Sequence, residues 1–186
     1  MKNCIPFLLL AIFLSCSKTA SNKTVKTIDH KQALPFFEFD YAEHWRLNPL
    51  KENEFDGQSI KENKNEADIQ RHRDLRNIFS GHSPEKLNDD KFFTVLSEYY
   101  TLNNLDKSRV NKLKKILTDR QYDLLYTSAC MPMYRDVLIL KKADSVIGIV
   151  KICFECQQIY FLGNRINTKN FGTNKDYNNL WKTLHP

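Results

Sequence analysis

The sequence predicts an α+β fold in which a small antiparallel sheet packs against three to four helices. Apolar residues recur at helical spacing between residues 66 and 117. Residues 134–140 and 146–154 are instead dense in β-branched residues and are joined by a short polar turn, which is typical of a β-hairpin. A capping-box pattern from Thr173 to Asp176 then predicts a C-terminal helix.

The sheet is predicted to combine this hairpin with residues 158–162 and with a strand near the start of the domain. That first strand covers residues 36–41, where aromatic and acidic residues partly alternate, and an extension to Leu47 stays open. Residues 48–66 are rich in Asn, Lys and Glu, and they predict a long loop.

The register of the hairpin follows from its turn. We expect Lys141 to pair with Val146 across the turn. This register places Asp136 opposite Lys151, which would be a favourable cross-strand charge pair. The even-numbered residues of the second strand then face the core. The opposite face, which includes Lys151 and Cys153, is expected to be only partly covered.

Local end signals place the first two helices. The first is predicted over residues 66–79, with Gly81 just past its end. Ser83 and Pro84 are interpreted as the N-cap and first position of a start that leads into a helix over residues 90–100.

The third helix has the best-defined beginning. Asp106 is predicted to cap it, and Leu105 and Val110 have the spacing of a hydrophobic staple around that cap. The neighbouring acidic residues Asp89 and Asp90 are interpreted in the same way, as a helix cap rather than as a pair of catalytic carboxylates.

The first residues have the anatomy of a secretory signal. Lys2 precedes an apolar run of about 11 residues, which is too short to cross a bilayer of ~30 Å as a helix. Ser15 and Cys16 follow and resemble the lipobox of bacterial lipoproteins, in which the cysteine becomes the lipidated N-terminus. Since such a cysteine carries several acyl chains, the resemblance implies stable attachment to a membrane.

The predicted organisation is a signal peptide over residues 1–15, a lipidated Cys16 with a flexible tether over residues 16–33, and a single α+β domain over residues 34–186. Loss of Lys2 with the signal reduces the net charge from +6 to +5. This mild excess could favour anionic headgroups or acidic glycans, although an ordinary solvated surface with no charged partner is the favoured interpretation. Nucleic acid is not an expected partner in this compartment.

Three cysteines lie in the predicted domain, namely Cys130, Cys153 and Cys156. An odd number outside the cytoplasm leaves either one free thiol or a three-thiol site. The structural hypothesis is a disulfide from Cys130 to one of the other two, with the third thiol buried. The hairpin returns the chain close to Cys130 at about Cys156, which favours that pairing weakly.

Two chemical hypotheses compete with the structural one. A thiol-redox site would use Cys153 and Cys156, but no helix start follows them to lower a thiol pKa. A metal site would use Cys130, Cys153 and Cys156, with His185 as a candidate fourth ligand, but a second cysteine pair is lacking. The histidines are scattered along the chain, so their spacing predicts no metal pair.

The stretch Ala129-Cys130-Met131-Pro132, followed by Tyr134-Arg135-Asp136-Val137-Leu138 and by Ile152-Cys153-Phe154-Glu155-Cys156, carries a family resemblance. It is similar to a group of small uncharacterised envelope lipoproteins of Bacteroidota-type bacteria. The resemblance covers roughly residues 105–186 and centres on the Cys-Phe-Glu-Cys element. It implies an envelope location and a shared fold, and it carries over no catalytic residue.

These observations favour a lipid-anchored protein of the bacterial cell envelope, on the periplasmic or the surface side. No hydrolase, metalloprotease, phosphate-binding or dinucleotide motif occurs in the sequence, so no catalytic residue or cofactor is predicted. The leading hypothesis is a non-enzymatic module that is bound to the membrane through Cys16 and interacts with an unknown protein or glycan. The alternative is a thiol-redox or metal-binding envelope protein that uses Cys130, Cys153 and Cys156.

Overall fold

The computed structural model of the chain describes residues 33–54, 65–119, 129–168 and 171–185. Within these ranges it contains a five-stranded antiparallel sheet and four α-helices, which confirms the predicted α+β class. The described residues include no helix that is both long and apolar enough to cross a bilayer. The predicted signal peptide, Cys16 and nearly all of the tether lie outside the described residues.

The elements follow one another in a mixed order along the chain. They are β1 (Tyr41–Leu47), a 3₁₀ helix (Pro49–Glu54), α1 (Glu66–Ser80), α2 (Asp90–Tyr99), β2 (Tyr100–Asn104), α3 (Lys107–Ile116), β3 (Asp136–Lys142), β4 (Ser145–Cys153), β5 (Gln158–Leu162) and α4 (Asn174–Leu184).

The strands lie in the order β2-β1-β3-β4-β5, and each neighbouring pair is antiparallel. The strand β2 has no sequence-based counterpart, because Thr101 to Asn104 lacks the alternation of a typical strand. It continues directly from α2 and pairs with the free edge of β1, so tertiary contact rather than local propensity forms it.

The prediction of a strand over residues 36–41 is wrong, since the first strand begins only at Tyr41. The preceding segment makes an isolated antiparallel bridge between Pro35 and Thr118 but is not a strand of the sheet. Phe36 donates its N–H to the carbonyl of Leu117 at 3.0 Å and accepts from the N–H of Arg165 at 3.0 Å. Phe36, Phe37 and Phe39, which suggested a strand, are instead buried in the hydrophobic core.

The helix starts are mostly as predicted. Asp106 caps α3 by accepting from the N–H of Arg109 at 2.8 Å, and Thr173 closes a capping box on α4. The start assigned to Ser83 is wrong, because α2 begins at Asp90 and its N-cap is Asp89.

The hairpin of β3 and β4 has the predicted turn but not the predicted register. Lys141 does pair with Val146, as expected. A β-bulge next to Lys141 then shifts the remaining pairs by one residue. Asp136 consequently lies opposite Ile152, and the prediction that it pairs with Lys151 is wrong.

Helices cover both faces of the sheet. The face covered by α3 and α4, here the α3–α4 face, carries Ala42, Leu138, Leu140, Val150 and Ile152. The face covered by α1 and α2, here the α1–α2 face, carries Leu47, Val137, Ile139 and Ile149. The prediction of a partly covered second face is therefore wrong, because Ile149, Lys151 and Cys153 are all buried.

Candidate functional site

The three cysteines of the domain lie close together where β4 turns into β5. Cys130 and Cys156 form a disulfide, with their Cα atoms 5.7 Å apart. Cys153, the last residue of β4, is a buried free thiol. The redox and three-cysteine metal hypotheses both need the Cys156 thiol, and the disulfide already uses it.

The surroundings of Cys153 are those of a structural thiol. Its Sγ accepts hydrogen bonds from the backbone N–H groups of Met133 and Cys156, each at 3.4 Å. Burial raises the pKa of this thiol, although the two N–H groups act in the opposite direction. A reactive cysteine needs a lowered pKa and access to solvent, and Cys153 has neither.

His185 does not join the cysteines, and it meets two polar residues from distant parts of the chain. Together with His44 of β1 and Asp136 of β3 it forms a group that we call the His–Asp–His cluster. The Nε2 atom of His44 lies 2.7 Å from Oδ1 of Asp136, and Nε2 of His185 lies 2.9 Å from the same oxygen. The three ligand-type atoms are all within 4.8 Å of one another.

Strand alternation and a helix end position this cluster. Asp136 pairs with Arg46 in the sheet, so His44 two residues earlier is its diagonal neighbour on the α3–α4 face. His185 is the C-cap residue of α4, and the capping box at Thr173 defines the other end of that helix. The cluster therefore joins the neighbouring strands β1 and β3 to α4.

Asp136 is an ionised carboxylate within an otherwise apolar layer. Burial alone would raise the pKa of Asp136, but the hydrogen bonds and charges of His185 and His44 bring it below its usual value. Each imidazole directs Nε2 at the carboxylate. Within the described part of the chain, the buried Nδ1 atoms of both rings have no hydrogen-bond partner.

Aromatic side chains enclose His185 and lead from the cluster to the surface. The ring centroid of Trp181 lies 3.9 Å from that of His185, and Phe154 packs edge-on against both rings. Trp181 is 44% exposed, so the cluster lies directly beneath the protein surface.

Lys151 is a buried cation on the α1–α2 face. Its Nζ donates to the carbonyl oxygens of Ile78 at 2.7 Å, Gly81 at 2.8 Å and Ser83 at 2.5 Å. These acceptors use all three protons of an ammonium group, while burial lowers the pKa of Lys151 to about 7. Because Nζ is enclosed in this way, the side chain attaches the end of α1 to β4 and presents no nucleophile.

The described surface also contains two adjoining depressions of about 350 and 320 Å³, which both open to solvent. They share Phe37, Glu38 and Lys142 among their lining residues. Glu38 forms ion pairs with Lys142 at 3.4 Å and with Arg165 at 2.8 Å. An open, charged surface of this kind fits contact with a macromolecule better than enclosure of a small substrate.

The His–Asp–His cluster was not predicted from the sequence. Its members are separated by 92 residues between His44 and Asp136 and by 49 between Asp136 and His185. The only local signal is that a carboxylate precedes four apolar residues in β3, which suggests a buried partner but does not identify it.

No protein-family model, curated protein or solved structure matches the chain. The disulfide, the His–Asp–His cluster and the buried lysine are therefore interpreted from their own geometry.

Proposed function

We propose that the chain is a lipid-anchored bacterial envelope protein that acts as a non-enzymatic binding or interaction module. The observation that carries this proposal is the disulfide between Cys130 and Cys156. Disulfides persist in oxidising compartments and are rare in the cytosol. A bridged domain downstream of a lipobox-like Ser15-Cys16 pair is consistent with an exported lipoprotein. The resemblance of the Cys-Phe-Glu-Cys element to small envelope lipoproteins points the same way.

A binding role is supported because the reactive side chains of the domain are buried or already hydrogen-bonded. The thiol of Cys153 is buried, Nζ of Lys151 is engaged by three carbonyls, and Asp136 accepts from two imidazoles. The charged depressions around Glu38 offer an accessible surface for a protein or an acidic glycan.

The anchor is tested by lipid labelling of the full chain in a bacterial host. We expect an alkyne-labelled fatty acid to be incorporated into the wild-type protein, which then sediments with the membranes. Cys16→Ser should abolish both, whereas Cys4→Ser is the matched control because Cys4 leaves with the signal. Labelling that survives Cys16→Ser would contradict the anchor.

The compartment and the thiol chemistry are tested by intact mass of the exported Cys16→Ser chain. We expect the mass to be lower by two hydrogens than that of the reduced chain. Only one cysteine of the domain, Cys153, should react with a thiol-blocking reagent, and only after denaturation. Three free thiols, or one thiol that reacts rapidly in the native protein, would instead support the thiol-redox or metal alternative.

A further inference from the structure

We propose that His44, Asp136 and His185 form a binding site for a divalent transition-metal ion such as zinc. This inference goes beyond the envelope function, since it requires neither lipidation nor a binding partner. It also differs from the three-cysteine metal hypothesis, because none of its ligands is a thiol.

The donor set is the first argument. Two imidazole nitrogens and one carboxylate oxygen are ligands that zinc, iron and other first-row metals take in proteins. Here they come from β1, from β3 and from the end of α4, and all three atoms lie within 4.8 Å of one another. Both imidazoles direct Nε2, rather than a ring edge, at the shared carboxylate oxygen.

The distances are the second argument. Ligand atoms on a tetrahedral zinc ion with bonds of 2.0–2.1 Å lie about 3.3 Å apart. The Nε2 to Oδ1 separations are 2.7 Å for His44 and 2.9 Å for His185. The two Nε2 atoms lie within 4.8 Å of each other, so the imidazoles would have to approach by up to about 1.5 Å for an ion to bind all three atoms. His185 is best placed to move, because it lies just beyond the last turn of α4.

The charge and the protons of the cluster are compatible with both the metal-free and the metal-bound state. Without metal, each Nε2 donates a hydrogen bond to the Asp136 carboxylate, and each Nδ1 has no hydrogen-bond partner among the described residues. With metal, the Nε2 lone pairs would bind the ion and each ring would keep its proton on Nδ1. The negative charge of Asp136 then balances part of the charge of the ion. The described residues supply three ligands, which leaves a fourth tetrahedral position for water or for a ligand from a partner.

The surroundings of the cluster give an ion access from the surface and provide a fluorescent reporter of its binding. His185 is close to the surface, beneath the half-exposed ring of Trp181. An ion bound at Nε2 of His185 would lie within a few ångströms of the indole. A paramagnetic ion such as Co²⁺ should therefore quench Trp181, whereas Trp45 serves as an internal reference on the other face of the sheet.

The test is a titration of the full chain with Co²⁺, purified in detergent through a tag that contains no histidine and kept without reductant. We expect one Co²⁺ per chain, quenching of Trp181 and displacement by Zn²⁺. Asp136→Asn and His185→Gln should each weaken binding by at least roughly tenfold. His82→Gln, at an exposed histidine outside the cluster, should leave the affinity unchanged.

Two further variants separate the alternatives. Trp181→Phe should retain binding but lose most of the quenching. Cys153→Ser should bind as the wild type does, whereas loss of binding in this variant would overturn the proposal in favour of a thiol site. The proposal is also overturned if no Co²⁺ binds stoichiometrically, or if binding survives in both Asp136→Asn and His185→Gln. His185 lies at the C-cap of α4 and is not among the buried hydrophobic residues of the α3–α4 face, so the result of its substitution is interpretable.

Discussion

The disulfide between Cys130 and Cys156 should contribute several kcal/mol to the free energy of unfolding. It links residues 26 apart, from the segment before β3 to the turn after β4. In the chain-entropy model, a loop of this length removes about 12 cal/mol/K from the unfolded state, which is about 3.5 kcal/mol at 25 °C. Because typical domains have a stability of roughly 5–15 kcal/mol, the bridge would supply a large part of the total.

The perturbation is Cys130→Ala together with Cys156→Ala. Both should be made in a Cys153→Ala background, so that the third thiol cannot form a replacement bridge. The assay is equilibrium unfolding in urea, followed by circular dichroism. We expect the double substitution to lower the free energy of unfolding by about 3–4 kcal/mol. Reductant should lower the bridged protein to the same level and leave the unbridged protein unaffected.

Two results would refute this reasoning. A loss below about 1 kcal/mol would mean that the bridge hardly restrains the unfolded chain. Equal effects of reductant on the bridged and the unbridged protein would mean that the measured loss comes from somewhere other than the disulfide.

Three further predictions concern the core. Burial puts the folded pKa of Lys151, about 7, below its unfolded value of 10.5, so the unfolded state binds more protons between these values. The stability of the wild type relative to Lys151→Met should therefore rise with pH across that window, and a flat urea-midpoint profile would mean that the three carbonyls fully offset burial. The folded pKa of Asp136 lies below 3.8, so its contribution is complete above that pH and is lost as the pH falls through the folded pKa. The stability lost in Asp136→Asn should thus be large at pH 7 and shrink toward pH 3, and an equal loss at both would contradict it. A Cβ at Gly148 would lie 2.6 Å from the ring of Phe37, so Gly148→Ala should cost about 1–3 kcal/mol by urea unfolding. Phe37→Leu should relieve part of that cost, and strict additivity would argue against the clash.

The elements that could be predicted from the sequence are those whose signals are local. Asp106 and Thr173 cap their helices as expected, because the capping oxygen and the N–H it accepts from lie within three residues of each other. The hairpin of β3 and β4 was equally clear, since two runs of β-branched residues flank a short turn. Local patterns did not predict the bulge beside Lys141. The bulge shifts the register, so Asp136 lies opposite Ile152 rather than Lys151.

The remaining features depend on contacts between distant parts of the chain. β2 forms because β1 offers it an edge, and the aromatic segment before Tyr41 is buried without becoming a strand. The His–Asp–His cluster requires the pairing of β1 with β3 and the docking of α4. No spacing rule brings His44 and His185 to one carboxylate, so only the folded topology could reveal the cluster.

The pairing of β1 with β3 has a consequence for how the chain folds. A hydrogen bond between these strands joins residues 92 apart, and an ion pair beside it joins residues 98 apart. Closing such long loops costs conformational entropy before the stabilising contacts between the strands can form. This cost slows folding, so a sheet of this kind forms late. During synthesis β1 can pair with β2 but must wait for β3 to emerge, and α4 can cover the sheet only after residues 174–184 have been made. Slow folding would keep such a chain unfolded for longer, which is the state in which a chain can be exported across a membrane.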